Sequence, residues 1–344
     1  MTSHTEREIV SQPDVWAATL ADLDTSAARA ALVEGVTDVV VTGCGSAHYL
    51  ALSAAALLRD AGVQAWAAPA SELLDGLPVP DPGTATVLAI SRSGTTTETV
   101  RAVEQARRDG ARTVAAVTCD PDSTLARAAD LGWHAPAAAE RSVAQTRSFG
   151  SMQLIAQALA ATVAGRDLEP LHRLPGLAGE LLVATRPAMA QLARDPALSA
   201  YYFLGQGPLF GIASEAMLKL KEMSLTASEA YHTLEFRHGP MSMCEPGVAV
   251  IGLLDPDRAA WEQPVYADLA PLRPRIVTVG PGGDLVVPAD LPGWARPVLH
   301  LLPLQLLALE RALHKGQDPD SPRHLTAVIH LDEAPEPAHP GGRP

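Results

Sequence analysis

The chain has 344 residues, 47% of them hydrophobic, which suggests about two domains of ordinary size with ample material for a core. A formal net charge of -13 argues against a nucleic-acid partner, because a phosphate backbone calls for a basic face. No signal-peptide pattern or membrane-spanning apolar run is present, and Cys44, Cys119 and Cys244 are widely spaced without a CxxC pair. The reading is a soluble, reduced, cytoplasmic protein with no membrane partner.

In chain order, residues 1–12 are polar. The β-branched run Val39 to Thr42 leads into Gly43-Cys44-Gly45-Ser46 and an alanine- and leucine-rich helix over about 47–61. A second run, Thr86 to Ile90, enters the loop Ser91 to Thr99, and a third, Thr113 to Thr118, follows another helix. Strands alternating with helices predict an α/β fold with parallel sheets covered on both faces. The runs Tyr201 to Leu204, Val248 to Leu253 and Ile276 to Val279 lie 162 residues downstream of those beginning at Val39, Thr86 and Val114. One offset fitting three strands predicts an internal duplication. Helices starting near Ser151 and Leu302 close the two halves, 167–196 reads as a helical connection, and the Pro- and Gly-rich stretch 333–344 reads as a disordered tail. The expected domains are 1–170 and 171–332.

The loop Ser91 to Thr99 places six hydroxyls around Gly94 at an expected helix start. Exposed amides and the positive end of the helix dipole favour an anion there. It lacks the lysine of a nucleotide-binding P-loop, so a single phosphate ester fits better than a nucleoside triphosphate with magnesium. Thr95 and Glu98 also have the spacing of a capping box. In the second half the equivalent of Ser91 to Gly94 is Leu253-Leu254-Asp255-Pro256, without the hydroxyls.

Glu215, Lys219 and Glu222 fall at i, i+4 and i+7, so a helix would carry two carboxylates and an ammonium on one face, a set suited to proton transfer. His238-Gly239-Pro240 ends that helical pattern and puts a titratable imidazole on a loop that can fold back. An exposed helix with one ion pair and an idle loop histidine would show the same spacing. His232 and His238 lack a carboxylate or cysteine to complete a ligand set, so neither metal nor cofactor is expected.

LKLKE followed by SEAYHTLEFRHGP, together with SRSGTT and Ser142-Val143-Ala144-Gln145-Thr146-Arg147-Ser148-Phe149, resembles the isomerase half of glucosamine-6-phosphate synthase and its tandem sugar-isomerase (SIS) relatives, over nearly the whole chain. The resemblance implies two tandem SIS domains, each a doubly wound, flavodoxin-like parallel sheet flanked by helices. It implies a phosphate grip by Ser91, Ser93 and Thr96 with Ser46 assisting, and a sugar-lining segment at Val143 and Gln145. It gives Glu222 the proton transfer, Lys219 a supporting role and His238 ring opening from the neighbouring subunit of a homodimer. Glu215 reads as structural, balancing Lys219. Arg92, where the synthase has glutamine, has the reach for phosphate or stays in solvent.

Two departures shape the expected reaction. Threonine at position 2 gives no N-terminal cysteine nucleophile, so no glutaminase half is expected. Ala327 stands where the family's Schiff-base lysine would be. The resemblance then implies an enzyme acting on a phosphorylated amino sugar, chiefly a glucosamine-6-phosphate deaminase. A fructosamine-6-phosphate deglycase, an aldose-ketose isomerase and a non-catalytic sugar-phosphate sensor are the alternatives.

Overall fold

A computed structural model describes residues 2–24, 37–77, 83–329 and 331. The first half runs α1 (His4–Val10), α2 (Gln12–Asp24), β1 (Asp38–Gly43), α3 (Ser46–Asp60), β2 (Gln64–Pro69), α4 (Ala70–Leu74), β3 (Thr86–Ile90), α5 (Thr97–Arg108), β4 (Thr113–Thr118), α6 (Thr124–Ala128), β5 (Leu131–His134) and α7 (Arg147–Val163). Short α8 (Glu169–His172) and long α9 (Leu174–Arg194) connect to the second half. That half runs β6 (Ala200–Gly205), α10 (Pro208–Ser224), β7 (Ala227–His232), β8 (Val248–Leu253), α11 (Ala259–Leu269), β9 (Arg275–Val279) and α12 (Pro297–His314).

Two wholly parallel sheets result, ordered β2-β1-β3-β4-β5 and β7-β6-β8-β9. The central strands are the β-branched runs seen in the sequence, buried along nearly their whole length because helices cover both faces. The second order repeats the first without its fifth strand, and β6, β8 and α11 start 162 residues after β1, β3 and α5. Parallel β2 and β7 were not expected from the sequence, yet they match with an offset of 163. They are edge strands, as is β5, and edges carry less of the apolar signal that betrays a buried strand.

Two other expectations change. The helical pattern ends at Ser224, not at His238; Leu225 then turns left-handed at φ 50° and the chain enters β7 and two short 3-10 turns. The cap of α5 is Thr96 rather than Thr95, and its side chain makes no capping bond. The tail 333–344 lies outside the described residues. Among the described residues no helix is long and apolar enough to cross a membrane.

The largest apolar cluster is shared by both halves, with side chains from α3, α7, α10 and α12 between the sheets. Helix α10 packs on α3 of the first half and on α12 of the second. Gly211 permits the crossing with α3: a Cβ there would lie 2.4 Å from the Tyr49 carbonyl oxygen. This contact carries the acidic face of α10 to the start of α3.

Candidate active site

In the first sheet the strand order reverses between β1 and β3, and ligands of such sheets bind outside the carboxyl ends of those strands. The loops leaving β1 and β3 meet there. The β3 loop folds through its own hydroxyls: Gly94 N–H donates to Ser91 Oγ (3.1 Å), Thr95 N–H donates to Ser93 Oγ (3.2 Å), and Ser91 and Thr96 hydroxyls are 3.3 Å apart. Gly94, at φ 63°, has no room for a side chain because a Cβ would sit 2.0 Å from Ser123 Oγ. Ser91, Ser93 and Thr96 line one recess together with Gln145 and Ala327.

An adjoining cleft of about 230 Å3 brings Ser46, Thr96, Val143, Gln145, Lys219 and Glu222 together. Eight of the nine residues expected at the site therefore stand around these two joined recesses, six on the cleft and Ser91 and Ser93 on the recess beside it. His238 is the exception. It is exposed, caps the 3-10 turn Glu235–Arg237, and lines neither recess within one chain.

The α10 face is a compact charge cluster. Lys219, 1% exposed, pairs with Glu215 at 3.4 Å, makes a closer ion pair with Glu222, and donates to Ser46 Oγ at 3.2 Å. Ser46 in turn donates to Glu215 Oε1 (3.2 Å), so its hydroxyl joins the charge cluster. Burial pulls the Lys219 ammonium down, but the two carboxylates outweigh it and hold its pKa above the ordinary value. Burial pushes the wholly buried Glu215 up to about 8, against the pull of Lys219. One ammonium serves two carboxylates, and Glu215, whose buried Oε2 has no partner, is the one whose acidity burial weakens. Glu222, with 19% of its side chain exposed, is the carboxylate open to the cleft.

Several contributors had no signal in the sequence. The side chain of Glu140 is fully buried and accepts from Thr146 N–H (2.6 Å), Thr146 Oγ1 (2.9 Å), Ser148 and Arg92. Glu8 of α1 holds the Arg141 N–H at 2.6 Å and the Ser142 hydroxyl. These carboxylates shape the segment carrying Val143 and Gln145. Arg92 lines both recesses with 11% of its side chain exposed, and its guanidinium is engaged by the protein itself: it donates to Val143 O (3.0 Å) and Ala327 O (3.0 Å) and pairs with Glu140 at 3.3 Å. Ala327 lines the cleft, and residues 325–329 form its outer wall. Gln145 Oε1 is buried there without a partner. Among the described residues no cluster of metal-ligating side chains occurs.

Residues 36–162 match the model of the SIS domain. The chain is 31% identical over 351 residues to the isomerizing glutamine–fructose-6-phosphate aminotransferase of Pyrobaculum aerophilum, covering 95% of this chain and 57% of that one. It is 33% identical to the enzyme of the same description from Symbiobacterium thermophilum, over 91% of this chain and 54% of that one. The chain thus spans little more than half the length of these relatives. Among solved structures, glucosamine-6-phosphate deaminase from Thermotoga maritima superposes with a TM-score of 0.85 at 29% identity, over 96% of this chain and 100% of that one. The tagatose-6-phosphate ketose/aldose isomerase of Escherichia coli shares the fold, with a TM-score of 0.82 at 23% identity over 97% and 98% of the two chains. The chain thus carries a SIS domain over residues 36–162, with the hydroxyl-lined recess within it, and is similar along nearly its whole length to these phosphosugar enzymes.

Proposed function

We propose that the protein is a glucosamine-6-phosphate deaminase built from two SIS domains, 1–170 and 171–332, the second having given up the hydroxyl loop. The phosphate sits on the Ser91, Ser93 and Thr96 loop. With the ring open, Glu222 removes the C2 proton and returns it at C1. The resulting ketimine takes up water and releases ammonia, leaving fructose 6-phosphate.

The observation that carries this reading is Glu222 lining the same cleft as Thr96 and Gln145 while paired with Lys219. A sensor would need the hydroxyl loop but not a carboxylate held opposite it. Similarity to the Thermotoga maritima deaminase over that chain's full length supports the choice of reaction. Lys219 is the lysine of the cleft and is committed to Glu215 and Glu222, which fits a route without covalent capture of the ketose. His238, exposed and outside its own cleft, would open the ring in the cleft of a second copy, making the working unit a homodimer.

Gln145 favours one neighbouring reading. Its unpartnered oxygen could accept from an N-linked substituent, as a deglycase acting on fructosamine 6-phosphates would require.

The test is ammonia release from a panel of amino-sugar and glycated-amine 6-phosphates. Glu222→Gln should cut turnover at least about 100-fold while the substrate still binds. Binding of 6-phosphates without turnover of any of them would make the protein a sensor instead.

A further inference from the structure

The Leu325–Ile329 segment has neither helical nor strand structure, and Leu325 and Ile329 are 42% and 57% exposed. It nevertheless forms the outer wall of the cleft. Upstream, Asp320 anchors the chain by accepting from His4 N–H (2.8 Å) and Thr5 N–H (2.7 Å), while its carbonyl accepts from Val143 N–H. Downstream, Leu331 N–H donates to Thr97 Oγ1 at 3.2 Å. Between these anchors, the Ala327 carbonyl accepts from Arg92 Nη2 at 3.0 Å.

The other arm of the same guanidinium donates to Val143 O (3.0 Å) and Ser142 O (3.3 Å) and pairs with Glu140. One planar group therefore joins the phosphate loop, the 142–143 wall and the 325–329 wall. A lysine, with a single compact ammonium, lacks the fork for this. The backbone of Arg92 is pinned separately, since its carbonyl accepts from Cys119 N–H (3.0 Å) and Thr118 Oγ1 (3.1 Å). Losing the side chain should release the wall and leave the phosphate loop in place.

We propose that Arg92 is a positioning residue whose guanidinium latches the Leu325–Ile329 segment as the outer wall of the cleft, so that binding of a hexose phosphate, but not of bare phosphate, depends on it. The ligand half of this statement rests on the proposed function; the latch itself does not.

The experiment compares full-length wild type, Arg92→Ala and Arg92→Lys. Chymotryptic cleavage after Leu325 should quicken about fivefold or more in Arg92→Ala, because local opening sets the rate. Arg92→Lys keeps a cation beside Glu140, guards against a folding failure, and should still be cut at least about twofold faster than wild type. By calorimetry, Kd for glucosamine 6-phosphate should rise about tenfold in Arg92→Ala, while Kd for inorganic phosphate changes less than about twofold. Unchanged cleavage in both variants overturns the latch. Equal weakening of both ligands overturns it too, since Arg92 would then grip phosphate directly. Should wild type bind no amino-sugar phosphate, the proposed function falls, and the cleavage rates alone decide the latch.

Discussion

Gly45 and Gly207, 162 residues apart, make the same backbone turn, at φ 55°, ψ −123° and φ 56°, ψ −130°. Each links the first strand of its sheet to a long helix. Above Gly45 lies open space, whereas a Cβ on Gly207 would stand 3.0 Å from Arg258 Nη2. The repeated turn thus faces an open cleft in one half and a guanidinium in the other.

A side chain at either turn forces the backbone into a region that favours glycine. Gly45→Ala should lose about 1–3 kcal/mol of stability, and Gly207→Ala more, because Arg258 must also move. Urea unfolding of both variants checks the order; equal losses would show that Arg258 yields freely.

Gly211 sets the distance between α10 and α3. An added methyl would press on the Tyr49 carbonyl and, at 2.7 Å, on Ser53 N. Gly211→Ala should cost about 1–3 kcal/mol. Ammonia release should fall even where the variant is fully folded, because Ser46 would move away from Glu215 and Lys219. Normal turnover in a destabilised variant would separate the helix contact from the chemistry.

Glu215 gives a pH signature. Its folded pKa is raised by burial to about 8 from 4.5, so the native state keeps a proton that the unfolded chain releases. That contribution is fully present below pH 4.5 and is lost as pH rises toward 8, with a slope of up to about 1.4 kcal/mol per pH unit. Glu215→Gln should flatten this part of the profile. Denaturant midpoints between pH 5 and pH 8 for both proteins measure it, and parallel profiles would mean that Glu215 is ionised throughout.

Shared sites predict rescue between two inactive proteins. Glu222→Gln and His238→Ala should each be nearly inactive alone. In a homodimer, mixing them after unfolding and refolding makes hybrids with one intact site, restoring up to about a quarter of wild-type activity. No recovery, with hybrids demonstrated by mass, would rule out a histidine supplied across an interface.

The central strands could be read from sequence because a parallel strand buried on both faces is a short apolar, β-branched run. The edges β2 and β7, with sequences QAWAAP and ASEAYH, lacked that signature. The hydroxyl loop was legible because six hydroxyls around one glycine have few other uses, and the acidic face of α10 because i, i+4 and i+7 share a side of any helix. Glu8, Glu140 and the latch on Arg92 were not legible. Their partners lie 6 to 235 residues away, and no spacing rule reaches from Arg92 to Ala327.

By itself, then, the sequence determined the repeated α/β plan, the hydroxyl-rich loop and which residues share a helix face, since each follows from local composition and periodicity and from an offset repeated along the chain. Tertiary structure alone decided that Glu215 is buried and Glu222 open, that Ser46 bonds to the charges, and that Arg92 bonds to the backbone of two distant segments. Those outcomes depend on how closely α10 crosses α3 and where the last residues return, and such long-range packing leaves no periodic trace in the order of amino acids.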